Sequence, residues 1–209
     1  MFLSNYLIIN FFMKAVYISL LLVAIYLIFQ SFKIINVVKT EKQAYRVVKK
    51  EAGFEIRFYP SATMATVYSK ATNYKSVSSS GFNKLAKFIF GGNQERESIA
   101  MTAPVIMRIT DKGSSMSFVM PQKYNEKTLP TPNDTQIEIK KSEPTYFAAI
   151  SFGGYANDEK IAIYRDQLTA MLKAKNIIRK EGFYFLGYDA PFQFIGRTNE
   201  VIIPVEWKE

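Results

Sequence analysis

A chain of 209 residues accommodates one domain with an accessory segment and excludes two ordinary domains. Apolar residues make up 48%, which excludes wholesale disorder, and the absence of Cys and His excludes disulfides, thiolate or imidazole metal sites, cysteine nucleophiles and Ser-His-Asp triads. The net charge is +9, with only Lys14 contributing before residue 33, so the remainder is a basic domain suited to solvent or to an anionic partner; lacking a recognition helix, an RNA-binding signature or a long basic cluster, it is not read as a nucleic-acid binder.

The first predicted element is hydrophobic. Ala15 to Phe32 form 18 uncharged residues, about one bilayer crossing at roughly 1.5 Å per residue. Lys14 and Lys33 flank this stretch where they can snorkel to the two interfaces, and Tyr17 and Tyr26 lie near a membrane boundary. Residues 1–32 therefore read as a single-pass membrane anchor. No small-x-small cleavage site follows, because Gln30, Ser31 and Phe32 stand in its place, which favours an uncleaved anchor over a removed signal. Lys33, Lys39, Lys42, Arg46, Lys49 and Lys50 favour a cytoplasmic domain by the positive-inside rule. The Met13-Lys14 start resembles export segments instead, so the side of the domain stays open. Residues 33–50 read as a charged juxtamembrane connector and 51–209 as the domain.

Within the domain, Phe54, Ile56 and Phe58 alternate with Glu55, Arg57 and Tyr59, the pattern of a half-buried strand. Thr63 to Tyr68 reads as its hairpin partner across a turn at Pro60-Ser61. The spacing predicts a helix over Tyr74 to Phe90, with Phe82, Leu85, Ala86 and Ile89 on its core face. Gly91-Gly92 follow that helix and cap it, so they do not cradle a phosphate. Pro121 to Gln136 is a proline-containing linker. Thr145 to Phe152 then reads as a strand, Asp158 as an N-cap, and Glu159 to Lys175 as a helix with Ile161, Leu168 and Leu172 inward. Behind each helix come similar pieces: Thr102-Ala103-Pro104-Val105 against Asp189-Ala190-Pro191-Phe192, and Phe118-Val119-Met120-Pro121 against Val201-Ile202-Ile203-Pro204. Their common order indicates internal duplication. The predicted fold class is α+β: a duplicated strand-helix-strand unit forming a distorted antiparallel β-barrel flanked by two helices, with a cavity between sheet and helices.

Several of these segments form an ordered set of motifs. Met-Thr-Ala-Pro-Val at 101–105, the stretch from Phe118 to Asp134, Phe-Gly-Gly-Tyr-Ala at 152–156, Gly-Tyr-Asp-Ala-Pro-Phe at 187–192 and Gly-Arg-Thr-Asn-Glu-Val at 196–201 resemble the SOUL haem-binding family. The resemblance implies a barrel of two pseudosymmetric halves and non-catalytic binding of haem or a related tetrapyrrole in an apolar groove beside the domain's first helix. On that helix it places the cofactor-binding candidates at Ser80, Asn83, Lys84, Lys87 and Phe88. Lys84 and Lys87 would pair with propionates, and Phe88 would stack on a porphyrin face.

Without His, the side chains left to ligate iron are Tyr, Met and Lys. Met64, Met101 and Met107 read as core fillers on strands. The expectation is therefore apolar contact and propionate pairing with weak or absent ligation by the protein. Arg197 and Glu200 read as an exposed ion pair. A second reading, drawn from similarity to bacterial small-molecule sensor domains, is an effector-binding module for another amphiphilic small molecule. An enzyme using Glu55, Glu97 or Asp189 is disfavoured, because no close carboxylate pair marks an acid–base site. The expected partners are haem, a porphyrin or another amphiphile, and a membrane through the N-terminal segment.

Overall fold

The computed structural model describes residues 13–28, 40–190 and 192–208. The chain divides into two compact units, Met1–Thr40 and Glu41–Glu209. In the first unit residues 13–28 form helix α1. The expected single-pass membrane protein is corrected by this helix: among the described residues none is long and apolar enough to cross a membrane. Its 16 described residues span about 24 Å, against about 30 Å for a hydrocarbon core. Residues 29–32 of the expected span lie outside the described residues.

The second unit begins ten residues before the expected domain start, because Glu41–Lys42 and Arg46–Glu51 are already strands, β1 and β2. Then follow β3 (Phe54–Tyr59), β4 (Thr63–Ser69), α2 (Tyr74–Ile89), β5 (Thr102–Ala103), β6 (Val105–Thr110), β7 (Gly113–Val119) and β8 (Ile137–Lys141). The chain ends with β9 (Thr145–Gly153), α3 (Asp158–Ala174), β10 (Tyr184–Gly187) and β11 (Thr198–Pro204). β1 pairs in parallel with β5. The other nine strands form one sheet in the order β2-β3-β9-β11-β10-β6-β7-β4-β8. Two blocks, β3-β9-β11-β10 and β6-β7-β4-β8, thus meet at the β10–β6 pair. β9 with α3 occupies in one block the place that β4 with α2 occupies in the other. The edges β2 and β8 do not pair, so the distorted barrel stays open.

The hairpin expected between β3 and β4 does not form. β3 pairs with β2 and β9, while β4 pairs with β7 and β8. The residue before a proline is held extended, so Tyr59-Pro60 carries the chain onward to the other block. Pro191, matched to Pro104 in the sequence, lies outside the described residues.

Both α2 and α3 pack on one face of the sheet, over a single apolar cluster that includes Ala65, Val67, Met116, Phe118, Ala148, Ile150, Phe152, Val201 and Ile203. Asn73 caps α2 by accepting from the Ser76 amide at 2.9 Å. The helix buries Val77, Gly81, Leu85, Phe88 and Ile89, an amphipathic i, i+4, i+8, i+11, i+12 stripe. A Cβ on Gly81 would come within 3.1 Å of Met116, so glycine lets the helix settle directly onto β7. The expected stripe is thereby rotated: Phe88, expected at a ligand-facing border, is 1% exposed and belongs to the core. On α3 the cap is Asn157, not Asp158, because Asn157 keeps an extended backbone and accepts from the Lys160 amide at 2.8 Å. Asp158 accepts instead from the Tyr74 amide at 2.5 Å, tying the two helix starts together.

The opposite face holds a smaller apolar strip, Ile106, Val119, Ala149, Leu186 and Ile202, beside a buried ion pair. Arg57 donates through Nη1 and Nη2 to both oxygens of Glu200, each at 2.9 Å. Glu200 also accepts from Tyr188 at 2.6 Å and Ser151 at 2.8 Å. Arg57 Nε donates to Glu55 at 2.8 Å, and its guanidinium lies 4.3 Å from the Tyr45 ring centroid. The expected surface pair of Arg197 with Glu200 is therefore wrong: the alternation of β11 turns Glu200 inward, and Arg197 donates to the Ala190 and Gln193 carbonyls. Burial pushes the Glu200 carboxyl up, but Arg57 and Tyr188 outweigh it and hold the group below the usual carboxylate range. Burial pushes the Tyr59 phenol up to about 12.

Two outcomes follow from this packing. Phe88→Ala should lower the unfolding free energy by about 3–5 kcal/mol, as core phenylalanine truncations do; a urea titration giving less than about 0.5 kcal/mol would return Phe88 to the surface. Glu200→Gln should cost about 3–5 kcal/mol at pH 7 by stranding Arg57. Because the folded pKa of Glu200 lies below its ordinary value, its contribution is complete above about pH 4.5 and fades as pH falls through the folded value. The gap between wild type and Glu200→Gln should therefore narrow below pH 4.5 in matched unfolding curves, and a gap independent of pH would deny the charge of Glu200 that role.

Candidate functional site

Alternation along each strand assigns one set of residues to the helix-covered face and the next set to the other. On that second face, cross-strand pairing produces rows. One row runs Thr66, Ser117, Ile106, Leu186, Glu200, Ser151, each residue the register partner of the next. The neighbouring row runs Tyr68, Ser115, Arg108, Tyr184, Ile202, Ala149. The first row has matching ends: Ser151 bonds Glu200 at 2.8 Å, and Thr66 bonds Ser117 at 2.8 Å. Only the Glu200 end carries charge, and there Arg57 fills the space.

At the Ser117 end the face is open. A cavity of about 460 Å³ is lined by residues of β3, β4, β6, β7, β8, β9, β10 and β11, so the sheet curls around it. Its walls are aromatic (Tyr59, Tyr68, Phe147, Tyr184) and aliphatic (Met64, Ile106, Ile202), with Thr66, Ser115 and Ser117 on the floor. Arg108, Lys140 and Lys141 line it against one carboxylate, Glu143. Phe147 and Tyr184 meet edge to face at 5.6 Å between centroids, which fixes both rings. A second cavity, of about 350 Å³, shares Gln43 and Lys141 with the first.

Arg108 is the least satisfied of these groups. Its guanidinium lies 6.0 Å from the Tyr184 ring centroid, and its Nε is buried with no hydrogen-bond partner among the described residues. A Cβ on Gly182 would come within 3.2 Å of Nε and Nη2, so glycine makes room for the guanidinium there. A buried donor without a partner carries a desolvation cost that an anionic ligand would offset. Across the groove, Lys140 donates to the Tyr68 hydroxyl and, at 3.3 Å, to Glu138. Hydrogen bonding to Tyr68 holds the Lys140 ammonium above the ordinary lysine range, ahead of the opposing effect of burial. Three chemistries converge: flat aromatic walls, cations, and a phenol oxygen in contact with an ammonium.

The residues expected on α2 are arranged differently. Ser80, Asn83 and Lys87 are exposed, Lys84 is half-buried and donates to Gln136, and Phe88 is in the core. Ser80 and Lys84 border a cleft of about 60 Å³ with Tyr68 and Met116, far smaller than the groove on the other face. Of the methionines, Met107 fills the core, whereas Met64 lines the groove. Sequence reasoning missed Arg108, Lys140, Tyr68 and Tyr184. The available signal was the alternation of Met64, Thr66 and Tyr68 with the buried apolar Ala65 and Val67 along one strand.

Among known proteins, the family described as SOUL heme-binding protein matches residues 40–204. Heme-binding protein 2 of Mus musculus is 32% identical over 164 residues, covering 71% of this chain and 76% of that protein. Heme-binding protein 1 of Sus scrofa is 26% identical over 160 residues, covering 73% and 84%. Of solved structures, the EcmrR C-terminal domain superposes with a TM-score of 0.55 at 10% identity, covering 78% of this chain and 98% of that one. A hydrolase from Listeria innocua superposes with a TM-score of 0.55 at 7% identity, covering 76% and 94%. At such identities the likeness is one of fold alone.

Proposed function

The chain belongs to the SOUL heme-binding protein family, and from that premise we propose that it binds haem or a related tetrapyrrole, without catalysis, in the groove on the sheet face opposite the helices. The observation that carries this reading is the row Tyr68, Ser115, Arg108, Tyr184, which sets an unsatisfied buried guanidinium donor between aromatic walls. A tetrapyrrole offers the complementary features, a flat apolar face and peripheral carboxylates. The groove's volume of about 460 Å³ lies within the range of about 300–1,000 Å³ usual for ligand pockets, and the cleft beside α2 lies well below it. The matching strand blocks support reading the two halves as copies of one unit.

The non-catalytic part of the reading rests on the carboxylates. Glu55 is committed to Arg57, Glu97 accepts from the Tyr124 hydroxyl, and Asp189 accepts from the Thr198 amide at 2.5 Å. None of the three lines the groove, whose single carboxylate, Glu143, has no second carboxylate beside it in the lining. Binding would rest on apolar burial together with charge. Roughly 200 Å² of porphyrin face at about 25 cal/mol per Å² contributes on the order of 5 kcal/mol before association costs.

The test is fluorescence quenching of the full chain by haemin and by protoporphyrin IX. Arg108→Gln should weaken both ligands by roughly tenfold or more, since hydrogen bonds to charged groups contribute about 1.5–3 kcal/mol. Lys84→Glu with Lys87→Glu should leave both affinities within about twofold, as expected of lysines on the face away from the groove. The reverse pattern would move the site to the face of α2. If neither tetrapyrrole binds while an anionic non-porphyrin dye does, the chain is an effector-binding module for another amphiphile.

A further inference from the structure

Carboxylate pairing at Arg108 accounts for a porphyrin but not for its metal, and this chain has no His or Cys to offer a metal. Among the remaining ligand types the groove presents Lys140 and Lys141, which as ammonium groups have no lone pair to offer, and four others: Met64, Tyr59, Tyr68 and Tyr184. Tyr59 is 4% exposed, and Arg57 Nη1 lies 3.4 Å from its oxygen, so that oxygen is turned into the ion-pair network. Tyr184 is locked edge-on against Phe147, and the cation nearest it faces its ring. Met64 is a neutral thioether, which suits ferric iron less well than an oxygen anion. Tyr68 differs from all three. It is 57% exposed, and its oxygen is the acceptor of a hydrogen bond from the Lys140 ammonium, which also lies 4.9 Å from its ring centroid.

Resting on the groove reading above, we propose that Tyr68 is this protein's ligand to ferric haem iron, through its phenolate oxygen, with Lys140 as the positioning residue that holds and charge-balances that oxygen. Bond formation between oxygen and iron releases the phenol proton to solvent, which reaches the exposed ring directly. No electron is transferred, and the ammonium offsets the charge left on the oxygen. Register supports the assignment. Tyr68 and Arg108 are in one row, separated only by Ser115, about 10 Å apart at the spacing of neighbouring strands. A small serine between them leaves the ground clear for a macrocycle that carries its metal at the centre and its carboxylates at the rim. Nothing on α2 offers such a pair.

The experiment is resonance Raman and absorption spectroscopy of the full chain with ferric haemin, beside affinities for haemin and protoporphyrin IX. Wild type should show iron-bound tyrosinate modes. Tyr68→Phe should lose them and weaken haemin by roughly tenfold or more beyond whatever the altered wall costs protoporphyrin, the scale on which metal-shell changes act. Lys140→Met should weaken haemin more than protoporphyrin, and Tyr184→Phe should retain the tyrosinate modes. Retention of the modes in Tyr68→Phe, or their loss in Tyr184→Phe alone, overturns Tyr68 as the ligand while the groove reading stands. Failure of wild type to bind either tetrapyrrole overturns the groove reading and the ligand with it.

Discussion

The large sheet has two faces to keep from water, but its two packing helices both lie on the same one. Much of the structure follows from that imbalance. The helix-covered face carries the large apolar residues of each strand and forms a conventional core. The other face must cover itself, and it does so by curling, so that residues of eight strands come to line one cavity. Small side chains along its middle, Ser115, Ser117, Ala149 and Ser151, allow that curvature without crowding. Where the two blocks meet, Ile106 and Leu186 face each other and close the floor with the only pair of large aliphatic residues in that row.

The two halves of the curled face are filled by opposite means. At one end Glu200 meets Arg57, and the pair is surrounded by Tyr188, Ser151, Glu55 and Tyr45. Desolvating two charges costs several kcal/mol per ion, and such a pair is tolerated when its remaining hydrogen-bonding positions are satisfied. Those neighbours meet the condition. The corresponding place in the other half is held by Ser117 with Thr66, two hydroxyls that satisfy one another. They occupy little volume and leave a groove. The charged end is thus filled by its own side chains, and the hydroxyl end is left as the open groove proposed above to take a ligand.

What the sequence revealed, and what it hid, divides along the same line. Strong periodicity exposed β3, β4, β9 and both domain helices, because a repeat of 2 or 3.6 residues survives without knowledge of neighbours. The face of α2 was misjudged by a rotation that moved Phe88 inward, since the groove that receives it is built by β7 and by the absence of a side chain at Gly81. β2 (RVVKKE) looked like connector, and β8 (IEIKK), just past the linker, was not picked out as a strand. Edge strands carry charge to discourage further pairing, and that charge masks them. Glu200 looked like a surface residue because its partner is 143 positions away. The groove had the same defect. Tyr68, Arg108, Lys140 and Tyr184 come from four strands, and only the pairing register makes them neighbours. The N-terminal segment was overread from hydropathy, which measures composition but not helix length; no helix among the described residues is long and apolar enough to cross a membrane.

A site assembled by register behaves differently from one built on loops. Apart from Gln43, Ser142 and Glu143, each of its side chains is anchored on a strand hydrogen-bonded on both sides, or along one side at β8, so the walls are placed before a ligand arrives and little ordering has to be offset by binding. The contacts such walls make are faces, cations and hydroxyls. Without imidazole or thiolate, none of them forms the strong soft bonds that hold a metal cofactor for catalysis. The groove also shares Gln43 and Lys141 with its neighbouring cavity. Preorganised walls and contacts of moderate strength are what the proposed reversible binding of a flat anionic molecule calls for. The fold reaches that combination by leaving one of its two equivalent places on the sheet without a charge.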